Sequence, residues 1–159
     1  MIRSRCRIAA LVLALLLALA AAPARADEPV GTWVTQQGDA HIKLAKCGKS
    51  LCATVAWLKD PIDAKTGRAP VDSNNPDPAK RSRKILGMRI FSMEPDGNGA
   101  FTGDIYNADD GKMYKGRLVP RGADDLEVQG CNANNLCGFE MWSRVDEASN
   151  ASASDQNKK

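Results

Sequence analysis

Four cysteines stand in two close pairs, Cys47-GKSL-Cys52 and Cys131-NANNL-Cys137. Thiols so placed can ligate a metal, cycle between redox states or close disulfides. Structural zinc sites and low-pKa redox thiols both favour the tighter CxxC spacing, which is absent. The remaining role is a pair of disulfides, in keeping with an export signal at the N-terminus. Three connectivities are open. Chain entropy favours a long bridge such as Cys52–Cys131, by about 4.5 kcal/mol against roughly 2 kcal/mol for each local loop. Local geometry points the other way, because each pair brackets a turn between two strand-like runs and so faces itself across a hairpin. The expected bridges are Cys47–Cys52 and Cys131–Cys137.

Lys80, Arg81, Arg83 and Lys84 form the one dense basic cluster, just after Asn75-Pro76-Asp77-Pro78. The planar fork of an arginine can grip a carboxylate or phosphate in two places. Arg81 and Arg83 are therefore candidates for holding an anionic ligand group. The same residues can instead pair with Asp72 or Asp77 and fold the segment back on itself. Acids are also plentiful, at Asp60, Asp63, Asp72, Asp77, Asp109 and Asp110. Carboxylate-dependent hydrolysis needs two of them about 5–10 Å apart across a cleft, a distance no sequence displays. His41 is the single histidine and lies on the polar face of a strand pattern, without a second histidine to share a metal. No nucleophile elbow, HExxH helix or P-loop occurs. No catalytic residue, cofactor or metal is predicted.

The first 26 residues read as a cleavable secretory leader. Arg3, Arg5 and Arg7 precede an apolar run from Ile8 to Ala22, and Pro23 then Ala24-Arg25-Ala26 close it in the small-x-small manner. Fifteen helical residues reach about 22 Å, short of the roughly 30 Å of a hydrocarbon core, so no lasting membrane span is expected. Cleavage after Ala26 would deliver a periplasmic or secreted protein and remove Cys6. The leader holds four of the 22 basic residues and no acid, leaving 18 basic against 19 acidic. That balance gives no electrostatic footprint for nucleic acid. Residues 148–159 are polar and lack an apolar anchor, as in a frayed tail. Residues 27–147 are left for one modest core.

That core must come from strands. Short β-type runs at about 31–36, 40–46, 51–58, 85–92, 100–106, 112–119, 125–131 and 136–145 alternate with Gly-, Asn-, Asp- and Pro-rich turns. Ile42 and Leu44 share a face, as do Leu126 and Val128. Ala53, Val55 and Trp57 form another row, and Leu86, Met88 and Ile90 a further one. Phe139 and Met141 oppose Glu140. One apolar and one wet face per strand marks an antiparallel sheet around a single core. Eight such strands with mostly short links make an all-β up-and-down meander, and closure into a barrel removes its exposed edges. The interior of so small a barrel is either filled or holds one small ligand. The exception to the short links is the connection 59–84, whose length suits a lid over one mouth.

Two features resemble lipocalins: Gly31-Thr32-Trp33 at the first strand, and Trp142-Ser143-Arg144 at the last. The resemblance implies an arginine lying over the first tryptophan to close the barrel base. Over nearly the whole chain after the leader, the stretches GTWVTQQGDAHIKLAKCGKSLCATVAWLKDP, DSNNPDPAKRSRKILGM, DGKMYKGRLV, LEVQGC and LCGFEMWSRV resemble the bacterial exported family called domain of unknown function 2147. This implies a small exported lipocalin-like barrel and supplies no activity. The Asn-Pro-Asp-Pro and Arg-Ser-Arg segments match residue by residue from Asn75 to Arg83, whereas Asn132–Asn135 is longer and more polar than the family pattern.

The expectation is a non-enzymatic binding protein for a small apolar or amphipathic molecule, lined by Val55, Trp57, Leu86, Met88, Ile90, Phe101 and Tyr114, with Arg81 and Arg83 receiving any anionic group. Two alternatives stand beside it: an envelope interaction or inhibitor module using the 59–84 loop and the 131–137 hairpin, and a carboxylate-dependent hydrolase.

Overall fold

A computed structural model describes residues 28–145. The leader at 1–26 and the tail at 148–159 lie outside the described residues. Eight strands form a closed barrel: β1 (Gly31–Val34), β2 (Ala40–Cys47), β3 (Ser50–Leu58), β4 (Arg89–Pro95), β5 (Phe101–Asn107), β6 (Lys112–Pro120), β7 (Asp125–Cys131) and β8 (Cys137–Arg144). Each pairs antiparallel with the next, and β1 returns to β8. That seam is short, with Trp33 opposite Arg144 and Val34 opposite Ser143. The Gln36 side-chain oxygen extends it by accepting from the Met141 amide at 2.9 Å.

In an up-and-down barrel alternate connections share an end. One end, the base, carries the β2–β3, β4–β5 and β6–β7 turns. The other, the mouth, carries 35–39, the long loop 59–88, 108–111 and 132–136. Cys47–Cys52 staples the β2–β3 hairpin at the base, and Cys131–Cys137 staples β7–β8 at the mouth. The polar Asn132–Asn135 run makes that second turn: the Asn132 side chain accepts from the amides of Asn134 and Leu136. Asn135 takes a φ of 58°, a conformation that asparagine tolerates well.

The base half of the interior is solid. Trp33, Leu44, Leu51, Met93, Leu118 and Leu126 are fully buried there. Arg144 lies 4.4 Å over the Trp33 ring. Its guanidinium also donates to the carbonyls of Val30 at 2.9 Å and Ala123 at 2.7 Å. Gly31 admits it: a Cβ there would stand 2.5 Å from the guanidinium, on a backbone with φ of 137°.

Two β-bulges separate the observed faces from simple alternation. Ile42 pairs with Val55 but His41 with Trp57, leaving Ala56 as an extra residue on β3. The bulge turns both Ala56 and Trp57 outward, so Trp57 leaves the row of Ala53 and Val55. Its ring stacks on His41 outside the wall, centroids 4.4 Å apart. On β4 the register steps from Phe91 opposite Ala53 to Arg89 opposite Thr54, making Ile90 the extra residue. Ile90 thereby joins Phe91 on the inner side. β4 also starts later than its apolar row suggests, because Ile85 to Met88 close a tight turn around Gly87 at φ 85°. That turn is lashed to β3 by bonds in both directions with Val55.

β8 differs from expectation as well. Pairing sets Trp142 opposite Leu126 and Glu140 opposite Val128, both inward residues. Glu140 therefore faces in, and Phe139 faces out with two-thirds of its surface exposed.

Candidate functional site

The mouth half of the barrel is hollow. A cavity of about 480 Å³, open to solvent beside Leu136 and Phe139 of the β7–β8 hairpin, is lined within by Ile90, Ile105, Tyr114, Val128, Glu140 and Trp142. A second, of about 370 Å³, opens beside it under Leu58, Pro70 and Ile85. The two share Ile90, Tyr106, Asn107, Asp109, Glu140 and Trp142. Absent side chains help to make this space. Gly130 pairs with Gly116 on one side and Gly138 on the other, and both Gly130 and Gly138 line the larger cavity. Lower down, a Cβ on Gly116 would collide with Ile105 and Met93, so that glycine belongs to the filled half.

Polar groups enter the hollow at defined points. The Glu140 carboxylate accepts from Trp142 Nε1 at 2.9 Å, and no lysine or arginine pairs with it among the described residues. Tyr114 reaches the rim, where its hydroxyl donates to Asp110 at 2.5 Å. That bond holds the Asp110 carboxyl below its ordinary range, against the opposing effect of burial, and lifts the Tyr114 hydroxyl. The charged residues lining the two cavities are Asp39, Asp60, Asp109 and Glu140, all acids.

The long loop is an ordered strap along the rim. Val71 bridges Lys84, and Asp72 and Ile85 donate backbone bonds to Arg83 and Pro70. Pro78–Lys80 form a single 3₁₀ turn, capped by the Asp77 side chain. At its centre Asp72 is fully buried. Its carboxylate accepts from the Tyr106 hydroxyl at 2.5 Å, Asn75 Nδ2 at 2.7 Å and Arg83 at 2.7 Å. Burial pushes this carboxyl up, but the three donors outweigh burial and hold it below the usual range. Arg81 Nε donates to the Asn75 carbonyl at 2.8 Å, and Lys80 pairs with Asp77 at 3.1 Å. The Asn74 side chain donates to the Asp109 carbonyl at 2.7 Å, tying the strap to the β5–β6 turn. Asn75, Pro76, Asp77 and Pro78 thus shape a clasp on the outer wall around Tyr106.

Of the lining residues expected from sequence, Val55, Ile90 and Tyr114 line the hollow half. Met88 is buried but lines neither cavity. Phe101 lies towards the base, beside Lys46 and Leu51. Trp57 and Leu86 are outside, 42% and 50% exposed. Arg81 and Arg83 are engaged in the clasp. Among the lining residues missed were Glu140 and Trp142. Their signal was available: a buried tryptophan two positions along a strand puts Glu140 on the same face.

The family described as "uncharacterized protein conserved in bacteria", domain of unknown function 2147, matches residues 31–144. No curated protein matches the chain. Among solved structures, protein HP1028 from the human pathogen Helicobacter pylori, which belongs to the lipocalin family, aligns with a TM-score of 0.64. It is 22% identical, over 77% of this chain and 86% of that one.

Proposed function

The chain belongs to the domain of unknown function 2147 family, and from that premise we propose that it is an exported binding protein carrying a small apolar or amphipathic molecule in the mouth half of its barrel. One observation carries this reading: the interior is divided, solid around Trp33 and hollow above Trp142. A cavity of about 480 Å³ falls in the size range of small-molecule sites. Its lining is mostly apolar, with a few polar groups at fixed points. The lipocalin-like fold supports ligand binding in general.

The test is native mass spectrometry of protein released from the bacterial periplasm without denaturation, followed by displacement of a fluorescent naphthylamine probe. A stoichiometric adduct, or probe binding that quenches tryptophan emission, is the expected result. A bare mass together with no probe binding would remove the carrier reading. The same preparation tests export, since the mature N-terminus should be Asp27.

A second reading, an interaction module, draws on the stapled β7–β8 hairpin. Leu136 and Phe139 there are 69% and 67% exposed, large apolar surfaces beside a rigid turn. Both also line the larger cavity, so this reading is tested by capture itself: a partner retained by ligand-free wild type and lost when both are replaced by serine supports it, and capture unchanged in that variant removes it. Hydrolysis gains no comparable support. The carboxylates with displaced pKa values, Asp63, Asp72, Asp77, Asp96 and Asp110, all move downward, whereas a general acid must be raised.

A further inference from the structure

We infer that the molecule taken into the cavity is a cation: an organic ammonium with an apolar body, whose head is received by Glu140 between Trp142 and Tyr114. This rests on the carrier reading and decides the sign of the ligand's charge. The sequence had pointed to an anionic group gripped by Arg81 or Arg83. Both arginines are outside the cavity and already engaged, Arg83 with Asp72 and Arg81 with the Asn75 carbonyl. Among the described residues, no lysine, arginine or histidine lines either hollow.

Glu140 is held inward by β8, opposite Val128, with Gly138 and Trp142 as its neighbours on that face. Among the described residues its one side-chain donor is Trp142 Nε1. Ile90, Ile105 and Val128 supply an apolar surround. A carboxylate without a cationic partner can take one from a ligand, and the apolar walls beside it let that ligand's tail be buried at the same time. Trp142 and Tyr114 line the same cavity and add aromatic surface against which the ligand's apolar body can pack. Asp39, Asp60 and Asp109 stand along the approach and extend the negative field towards solvent. An anionic head would meet this field with no cationic side chain among the described lining residues.

The experiment compares four amphiphiles sharing one ten-carbon tail: decylamine, decyltrimethylammonium, decanol and decanoate. Each is titrated below its micelle concentration into wild-type protein and into Glu140→Gln, by calorimetry and tryptophan emission. Both ammonium compounds should bind wild type at least tenfold more tightly than decanoate. Glu140→Gln should weaken them about tenfold and leave decanol unchanged. Decanol or decanoate binding as tightly as the ammonium compounds would overturn the charge assignment and leave the carrier reading standing. Loss of ammonium preference on adding salt alone, with none on Glu140→Gln, would move the effect to the rim and remove Glu140 from it. If none of the four binds, and the naphthylamine probe also fails, the carrier reading falls and this inference with it. The charge series on wild type needs no variant, so a folding defect in Glu140→Gln leaves it decisive.

Discussion

At the base of the barrel a cation lies on a tryptophan; at the mouth a carboxylate accepts from one. Arg144 covers the Trp33 ring and donates to two backbone carbonyls, so ring, charge and carbonyls complete one another within the chain. Glu140 accepts from Trp142 in a half-empty chamber, and no side-chain cation among the described residues joins it. The two tryptophans sit on neighbouring strands, β1 and β8. The contrast separates a place where the protein meets its own chemical demands from one where a demand is left open.

Removing the base tryptophan should have the largest effect. Trp33→Ala deletes a fully buried ring, the surface under Arg144 and the hydrogen bond to the Pro29 carbonyl. A loss of about 4 kcal/mol in urea unfolding is expected. A loss below about 1 kcal/mol would mean that the base is not the solid half of the molecule, and the comparison would collapse.

The strap sharpens the contrast because it lies at the mouth yet is satisfied like the base. Asp72 has three donors, so Asp72→Ala should cost about 3 kcal/mol by leaving Tyr106, Asn75 and Arg83 unpaired. Arg83→Ala should cost less, because the arginine side chain is 42% exposed and can be replaced by water. The pH dependence has a definite sign. A carboxyl whose folded pKa is depressed gives stability that is complete above its unfolded pKa, near about 3.9, and lost as pH falls through the lower folded value. Hydrogen-exchange protection factors at 71–75 and 83–85, corrected for the intrinsic pH dependence of exchange, should therefore hold steady from neutrality to about pH 4 and fall below it. A fall beginning near pH 6 would point to a different group.

Strand number, closure and both disulfides were legible because they follow from local signals: alternation, turn residues and cysteines placed across hairpins. Inner faces were legible only where no bulge intervened. Ile42, Leu44, Leu126 and Val128 point as their spacing says. Trp57 does not, because a bulge arises from how one strand meets its neighbour, and Ala56 carries no intrinsic mark of it; Ile90 keeps its expected inner place, but the bulge there puts Phe91 inside beside it. Glu140 was obscured for another reason. Phe139 and Met141 look like the core of β8 by hydrophobicity, whereas Gly138, Glu140 and Trp142 are its inner face. A strand beside a cavity need not place its most apolar set inside. The clasp was half legible: an Asp72–Arg83 pair was foreseen as one option, but Tyr106, 34 residues from Asp72, comes to it only through the fold.

The smallest expected effect is also the most pointed comparison with the base. Glu140→Gln keeps an oxygen for Trp142 Nε1 and nearly the same volume while removing the charge. If the carboxylate were part of the architecture, as Arg144 is, losing it should destabilise the barrel. If it is held for a ligand, the barrel does not depend on its charge, and the ligand-free variant should match the wild type to within about 0.5 kcal/mol. Parallel urea titrations of the two proteins read this out. A loss of more than about 1 kcal/mol would place Glu140 with Arg144 as a structural group, and the open demand at the mouth would disappear.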